Sequence, residues 1–66
     1  MKVYIGDKLV MERSKGTTVK RIMEILGLLE EEYLPIDCTD GLPRTPDYRV
    51  PDDGAIKFLP TIEMLR

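Results

Sequence analysis

The stretch Gly16-Thr17-Thr18-Val19-Lys20-Arg21-Ile22-Met23-Glu24-Ile25-Leu26-Gly27-Leu28-Leu29 decides how the rest of this chain must fold. Val19, Ile22, Met23 and Leu26 recur at i, i+3, i+4 and i+7, which places them on one stripe of a helix. Leu29 extends that stripe past a glycine. Thr17 or Thr18 supplies a hydroxyl that accepts from a free N–H of the first turn. Gly27 supplies the left-handed residue that ends a helix. The spacing predicts a helix over about residues 17–27. Everything outside it reads as strand or turn, so the apolar stripe has a small sheet to cover.

Upstream, residues 1–5 alternate, with Met1, Val3 and Ile5 on one face and Lys2 and Tyr4 on the other. Gly6-Asp7 suits a type II′ hairpin turn, with glycine first. Residues 8–13 return as a second strand whose register is open, because Leu9-Val10-Met11 puts apolar residues on both faces. Lys20 and Arg21 stand in the first helical turn, where the dipole favours acids. They read as a solvated helix face partly offset by Glu24, with partner docking as the functional alternative.

Downstream, Glu30-Glu31-Glu32 reads as a solvated loop. Residues 33–39 form a third strand with Leu34, Ile36 and Cys38 on one face, and Pro35, which lacks an N–H, assigns it to a sheet edge. Asp40-Gly41 and Pro51-Asp52-Asp53-Gly54 are turns. Pro43, Pro46 and Pro51 exclude a long helix between them, leaving at most a short strand or a single helical turn near Pro46-Asp47-Tyr48. Residues 55–59 close the fold, and Ile56-Lys57-Phe58-Leu59 is apolar enough for a central strand. Pro60 limits that ladder. The expected architecture is α+β: a mixed sheet of four to five strands with one helix packed on one face. A crossover through the helix lets the last strand lie parallel beside the first at the sheet centre, the β-grasp arrangement. Residues 1–62 form one domain, and 63–66 a C-terminal tail.

A chain of 66 residues has room for one core, worth roughly 3–5 kcal/mol of net stability, and none for a cleft between domains. Net charge −2 with interspersed signs argues against nucleic acid, which rewards a basic face. No apolar run approaches a membrane span, and Met1-Lys2 leads straight into strand-like sequence rather than a signal peptide. One cysteine makes no internal disulfide, so a reducing cytoplasm is expected. Without histidine there is no Ser/His/Asp set and no familiar metal spacing, and no phosphate-binding glycine loop occurs. Cys38, alternating with Leu34 and Ile36, reads as a small buried apolar residue. Asp37, Asp40, Asp47, Asp52 and Asp53 read as turn formers that accept from nearby backbone amides. The expectation is a protein that is not an enzyme, uses no cofactor or metal, and is a monomer when free.

With the elements placed, the chain resembles the ThiS/MoaD sulfur-carrier family, a ubiquitin-like β-grasp group, and is closer to ThiS because it lacks room for the insertions of MoaD. The likeness covers nearly the whole length. Residues 1–7, Met-Lys-Val-Tyr-Ile-Gly-Asp, resemble the family's opening strand and turn. Gly16-Thr17-Thr18-Val19 followed by Ile22 and Leu26-Gly27-Leu28 resembles its "GTTV…LGL" helix. Asp40-Gly41 stands where the family has an Asn-Gly-like hairpin. Asp52-Asp53-Gly54-Ala55-Ile56 through Leu59-Pro60-Thr61-Ile62 resembles its closing strand. The chain also departs from the family: the closing-turn glycine comes one place late, Pro35 interrupts strand three, and the Gly-Gly of family members falls on Met64 and Leu65, with Arg66 beyond.

The resemblance implies a partner: an adenylating enzyme of the ThiF/MoeB kind, which activates the terminal glycine carboxylate with ATP, or a synthase that accepts sulfur. A glycine tail is needed to thread a narrow channel, because only a residue without Cβ permits the closest backbone approach. Met64 and Leu65 are too bulky for that. The first reading is therefore a non-conjugating relative that docks partners through its sheet face and an apolar strip of Leu59, Ile62, Met64 and Leu65, with Arg66 at its end. An authentic carrier for thiamine or molybdopterin-type synthesis with an atypical or incomplete tail is the second. A β-grasp interaction module unrelated to sulfur is the third.

Overall fold

The computed structural model describes the backbone of residues 1–64 and the side chains of 1–62. Along the chain run β1 (Lys2–Ile5), β2 (Lys8–Glu12), α1 (Val19–Leu26), β3 (Tyr33–Asp37), β4 (Ala55–Pro60) and α2 (Thr61–Met64). The four strands form one mixed sheet in the order β2-β1-β4-β3. β1 runs antiparallel to β2 and parallel to β4, and β3 runs antiparallel to β4. First and last strands side by side and parallel at the centre, with α1 across one face, make this a β-grasp fold. Pro35 lies on an edge strand, where its missing N–H costs no ladder bond.

Val3 and Phe58 are fully buried by the alternation of β1 and β4, Ile56 with them, and Val19, Ile22 and Met23 close over them from α1. Leu26 packs at the margin. Thr18 is the N-cap, its hydroxyl accepting from the Arg21 N–H at 3.2 Å. Gly27 has φ 70°, and the amides of Gly27 and Leu28 donate to the carbonyls of Glu24 and Met23. That pair of bonds is a Schellman cap, and its usual apolar contact falls to Leu28, which packs on the core with Met23. Leu29, expected to extend the stripe, is instead 52% exposed, because the left-handed glycine turns the chain off the helical path one residue earlier.

The open register of β2 is resolved by a bulge. Val3 pairs with Met11 and Tyr4 with Leu9, leaving Val10 as the extra residue. Val10 and Met11 both pack on the core, while Leu9 goes to the other face, 45% exposed. Gly6 has φ 60° and Asp7 a negative φ, as a two-residue II′ turn requires.

A further expectation is corrected. Cys38 is exposed rather than buried, because β3 stops at Asp37 and Cys38 opens the following turn. The proline-rich stretch holds no long helix, as expected, and has a turn at Pro46-Asp47 and isolated bridges at Pro43 and Arg49. It nevertheless contributes Val50, 1% exposed, and Tyr48 to the core. Past β4 the chain enters the helical turn α2, whose first residue is tied down: the Thr61 N–H and hydroxyl donate to the carbonyls of Glu32 and Glu31 at 2.9 and 3.1 Å.

Gly27→Ala tests the cap. A Cβ there meets nothing within 4 Å, so only the left-handed backbone is penalised. A loss of about 1 kcal/mol is expected by urea denaturation; an unchanged midpoint contradicts the conformational argument.

Candidate functional site: the uncovered sheet face

One side of the sheet lies under α1. On the other, the register sets Leu9, Tyr4, Lys57 and Ile36 in a row across all four strands, extended by the Ile36–Pro43 bridge. The neighbouring row holds the pair Leu59 and Leu34. Tyr4, Leu34, Lys57 and Leu59 are half-buried, and Ile36 is 6% exposed. Lys2 and Glu12 face each other at one end. A shallow recess lined by Tyr4, Gly6, Asp7, Cys38, Ala55 and Lys57 opens beside the central row. Desolvation pushes the Cys38 thiol above its ordinary value, and the nearby Lys57 ammonium pulls it back.

The expected partner strip is only partly within the described residues. Leu59 lies on the open sheet face, half-buried beside Leu34. Ile62 is 65% exposed on α2 and lines a separate recess with Glu31, Glu32, Tyr33, Pro60 and Thr61. The side chain of Met64, and Leu65 and Arg66 altogether, lie outside the described residues. Sequence reasoning missed Leu9, Leu34 and Lys57 as parts of one surface. The signal available was the alternation Ile56/Phe58 against Lys57/Leu59 in β4, but which neighbours share the face depends on strand order and on the bulge.

The acidic residues are mostly local formers of structure. Asp37, 6% exposed, accepts from the Thr39 N–H at 2.9 Å, from Arg44 Nε at 3.1 Å and from the Tyr48 hydroxyl at 3.2 Å. Arg44 also reaches Asp40 at 2.6 Å and lies over the Tyr48 ring, 4.8 Å from its centroid. The Thr39 amide holds the Asp37 carboxyl below the usual carboxylate range; burial opposes this, and Arg44 and Tyr48 add to the lowering. Asp40 accepts from the Leu42 N–H and Asp47 from the Thr45 hydroxyl. Asp52 is the long-range member, accepting from the Gly16 N–H at 2.7 Å.

The first backbone amides of α1 are engaged within the chain. The amides of Val19 and Lys20 already donate to the carbonyls of Tyr48 and Pro46, and that of Arg21 to Thr18. Lys20 and Arg21 are exposed on the helix, as read. Among the described residues, no group of three or more His, Cys, Asp or Glu side chains is arranged to hold a metal ion. No described helix is long and apolar enough to cross a membrane.

The fold and this surface define the class: a small β-grasp domain with one largely apolar sheet face that the described residues leave uncovered. No family model, curated protein or solved structure matches the chain.

Proposed function

We propose that this chain is a docking protein related to the ThiS/MoaD sulfur carriers, one that binds their kinds of partner through its sheet face and is not itself conjugated. The observation that carries the reading is the uncovered face. A sheet of this size leaves Leu9, Tyr4, Leu34 and Leu59 at the surface on one side, grouped rather than scattered, and grouped apolar residues on a small domain mark a contact surface. The helix motif and closing strand of the sequence point to the family. Met64 and Leu65 at the glycine positions argue against threading an adenylation channel. The partner is then an adenylating enzyme of the ThiF/MoeB kind or a sulfur-accepting synthase, and the chain acts by binding, without chemistry of its own.

Titrating the isotope-labelled chain with such an adenylating enzyme tests this. Amide shifts are expected to concentrate on Tyr4, Leu9, Leu59 and Ile62. Leu9→Asp, at a position already 45% exposed, is expected to keep the fold and weaken binding about tenfold or more. Intact mass after incubation with that adenylating enzyme, ATP and a sulfide source is expected to stay unchanged. An O-to-S mass gain makes the chain a working carrier instead; no binding to either enzyme class removes the sulfur-carrier connection.

A further inference from the structure

We infer that the uncovered sheet face receives a protein segment carrying a carboxylate within an apolar stretch, and that Lys57 is the residue that reads it. This rests on the docking reading above and names the chemistry of the partner.

The argument starts from where Lys57 sits. It lies in the central strand β4, half-buried, between Tyr4 of β1 and Ile36 of β3. Leu9 stands beyond Tyr4, and Leu59 lies two residues along β4 on the same side. Ile36 itself is buried, so what this face offers a partner is Tyr4, Leu9, Leu34 and Leu59 with one cation among them. Lys2, at the margin, has Glu12 opposite it. Among the described residues Lys57 makes no ion pair; the two ion pairs present both belong to Arg44. Asp7 lines the same recess but is not within ion-pair distance.

Any partner that covers this row removes water from the ammonium. Leaving it buried and unpaired opposes binding strongly, whereas a carboxylate placed against it restores the lost solvation. Leu9, Tyr4 and Leu59 meanwhile require apolar groups on either side of that carboxylate. Lys57 therefore admits acidic-apolar segments and rejects purely apolar or basic ones. A second copy of this chain is disfavoured as occupant by the same logic, since face-to-face pairing of two such surfaces brings two Lys57 ammonium groups into one apolar interface.

Selection of helical peptides from a phage-displayed library on the immobilised full chain tests the inference. Enriched sequences are expected to carry Asp or Glu flanked by apolar residues, and the selected peptides to shift the amides of Tyr4, Leu9 and Lys57. They are expected to lose about tenfold in affinity on K57M and to retain most of it on K57R. Selection on K57E is expected to enrich Lys or Arg at the same place. Well-dispersed amide spectra of the variants establish that they are folded. Enriched peptides without an acid, equal binding to K57M, no enrichment, or association of the chain with itself through this face each overturns the proposal. The two readings fail separately. If acidic peptides engage Lys57 but the adenylating enzyme does not bind, the sulfur-carrier connection fails and this inference stands; if the enzyme binds K57M as well as the native chain, the reverse holds.

Discussion

Gly16→Ala is expected to remove most of the chain's stability. A Cβ built on Gly16 falls 1.9 Å from the Val50 carbonyl oxygen and 2.8 Å from the carbonyl carbon of Pro51. Both are backbone atoms, so no side-chain rotation relieves the overlap. The segments must separate, and the bonds that join them are then lost: Gly16 N–H to Asp52 Oδ1 at 2.7 Å, and Val50 N–H to the Thr17 carbonyl at 2.9 Å. The N-terminus of α1 hangs on the same seam through Val19 and Lys20. A loss of about 3 kcal/mol is expected, against a total of roughly 3–5 kcal/mol for a domain this small. Urea denaturation followed by far-UV circular dichroism reads it directly. A Gly16→Ala variant as stable as Gly27→Ala contradicts the close-approach argument, since Gly27 has open space and only an unusual φ.

Asp37→Ala carries the second-largest expected effect. Three donors converge on this buried carboxylate, and each loses its acceptor: the Thr39 amide, Arg44 Nε and the Tyr48 hydroxyl. Arg44 is 30% exposed and recovers some hydration, so the expected loss is about 2 kcal/mol rather than the full value for a buried pair. The sign of the pH dependence follows from the lowered carboxyl. The folded state binds the proton less readily than the unfolded chain, whose Asp titrates near about pH 3.9. The stabilisation is therefore complete above that value and is lost as pH falls through the lower, folded value. The native chain is expected to lose stability as pH drops below about 4, and Asp37→Ala to lose less over the same interval. Equal acid sensitivity of the two proteins contradicts the role given to Asp37.

How much of the surface was legible follows from how far apart its parts lie along the chain. The apolar face of β1, the II′ turn and the central place of β4 are written in local patterns, and the structure has them as read. Lys57 was legible only as a polar interruption in an apolar strand. Its significance depends on Tyr4 and Ile36, brought beside it from two other strands. Leu9 reaches that row because Val10 is bulged out of register, and three consecutive apolar residues carry no sign of where a bulge falls. The Asp37 cluster was read as turn chemistry, which holds for Thr39, two residues on, but Tyr48 arrives from the far side of the proline-rich loop.

By itself the sequence determined the periodic part of this protein. Hydrophobic repeats of 3.6 and 2 name α1 and the strands, because burial of one face is a local property of spacing. Cap and turn residues mark most of their ends, and the crossover then leaves β1 and β4 side by side. Tertiary structure alone decided what Gly16 is for, why Val50 is buried amid prolines, and which side chains make up the open face. Each of these is set by a backbone approach or a strand register between distant segments, and a chain read one window at a time contains no record of such distances.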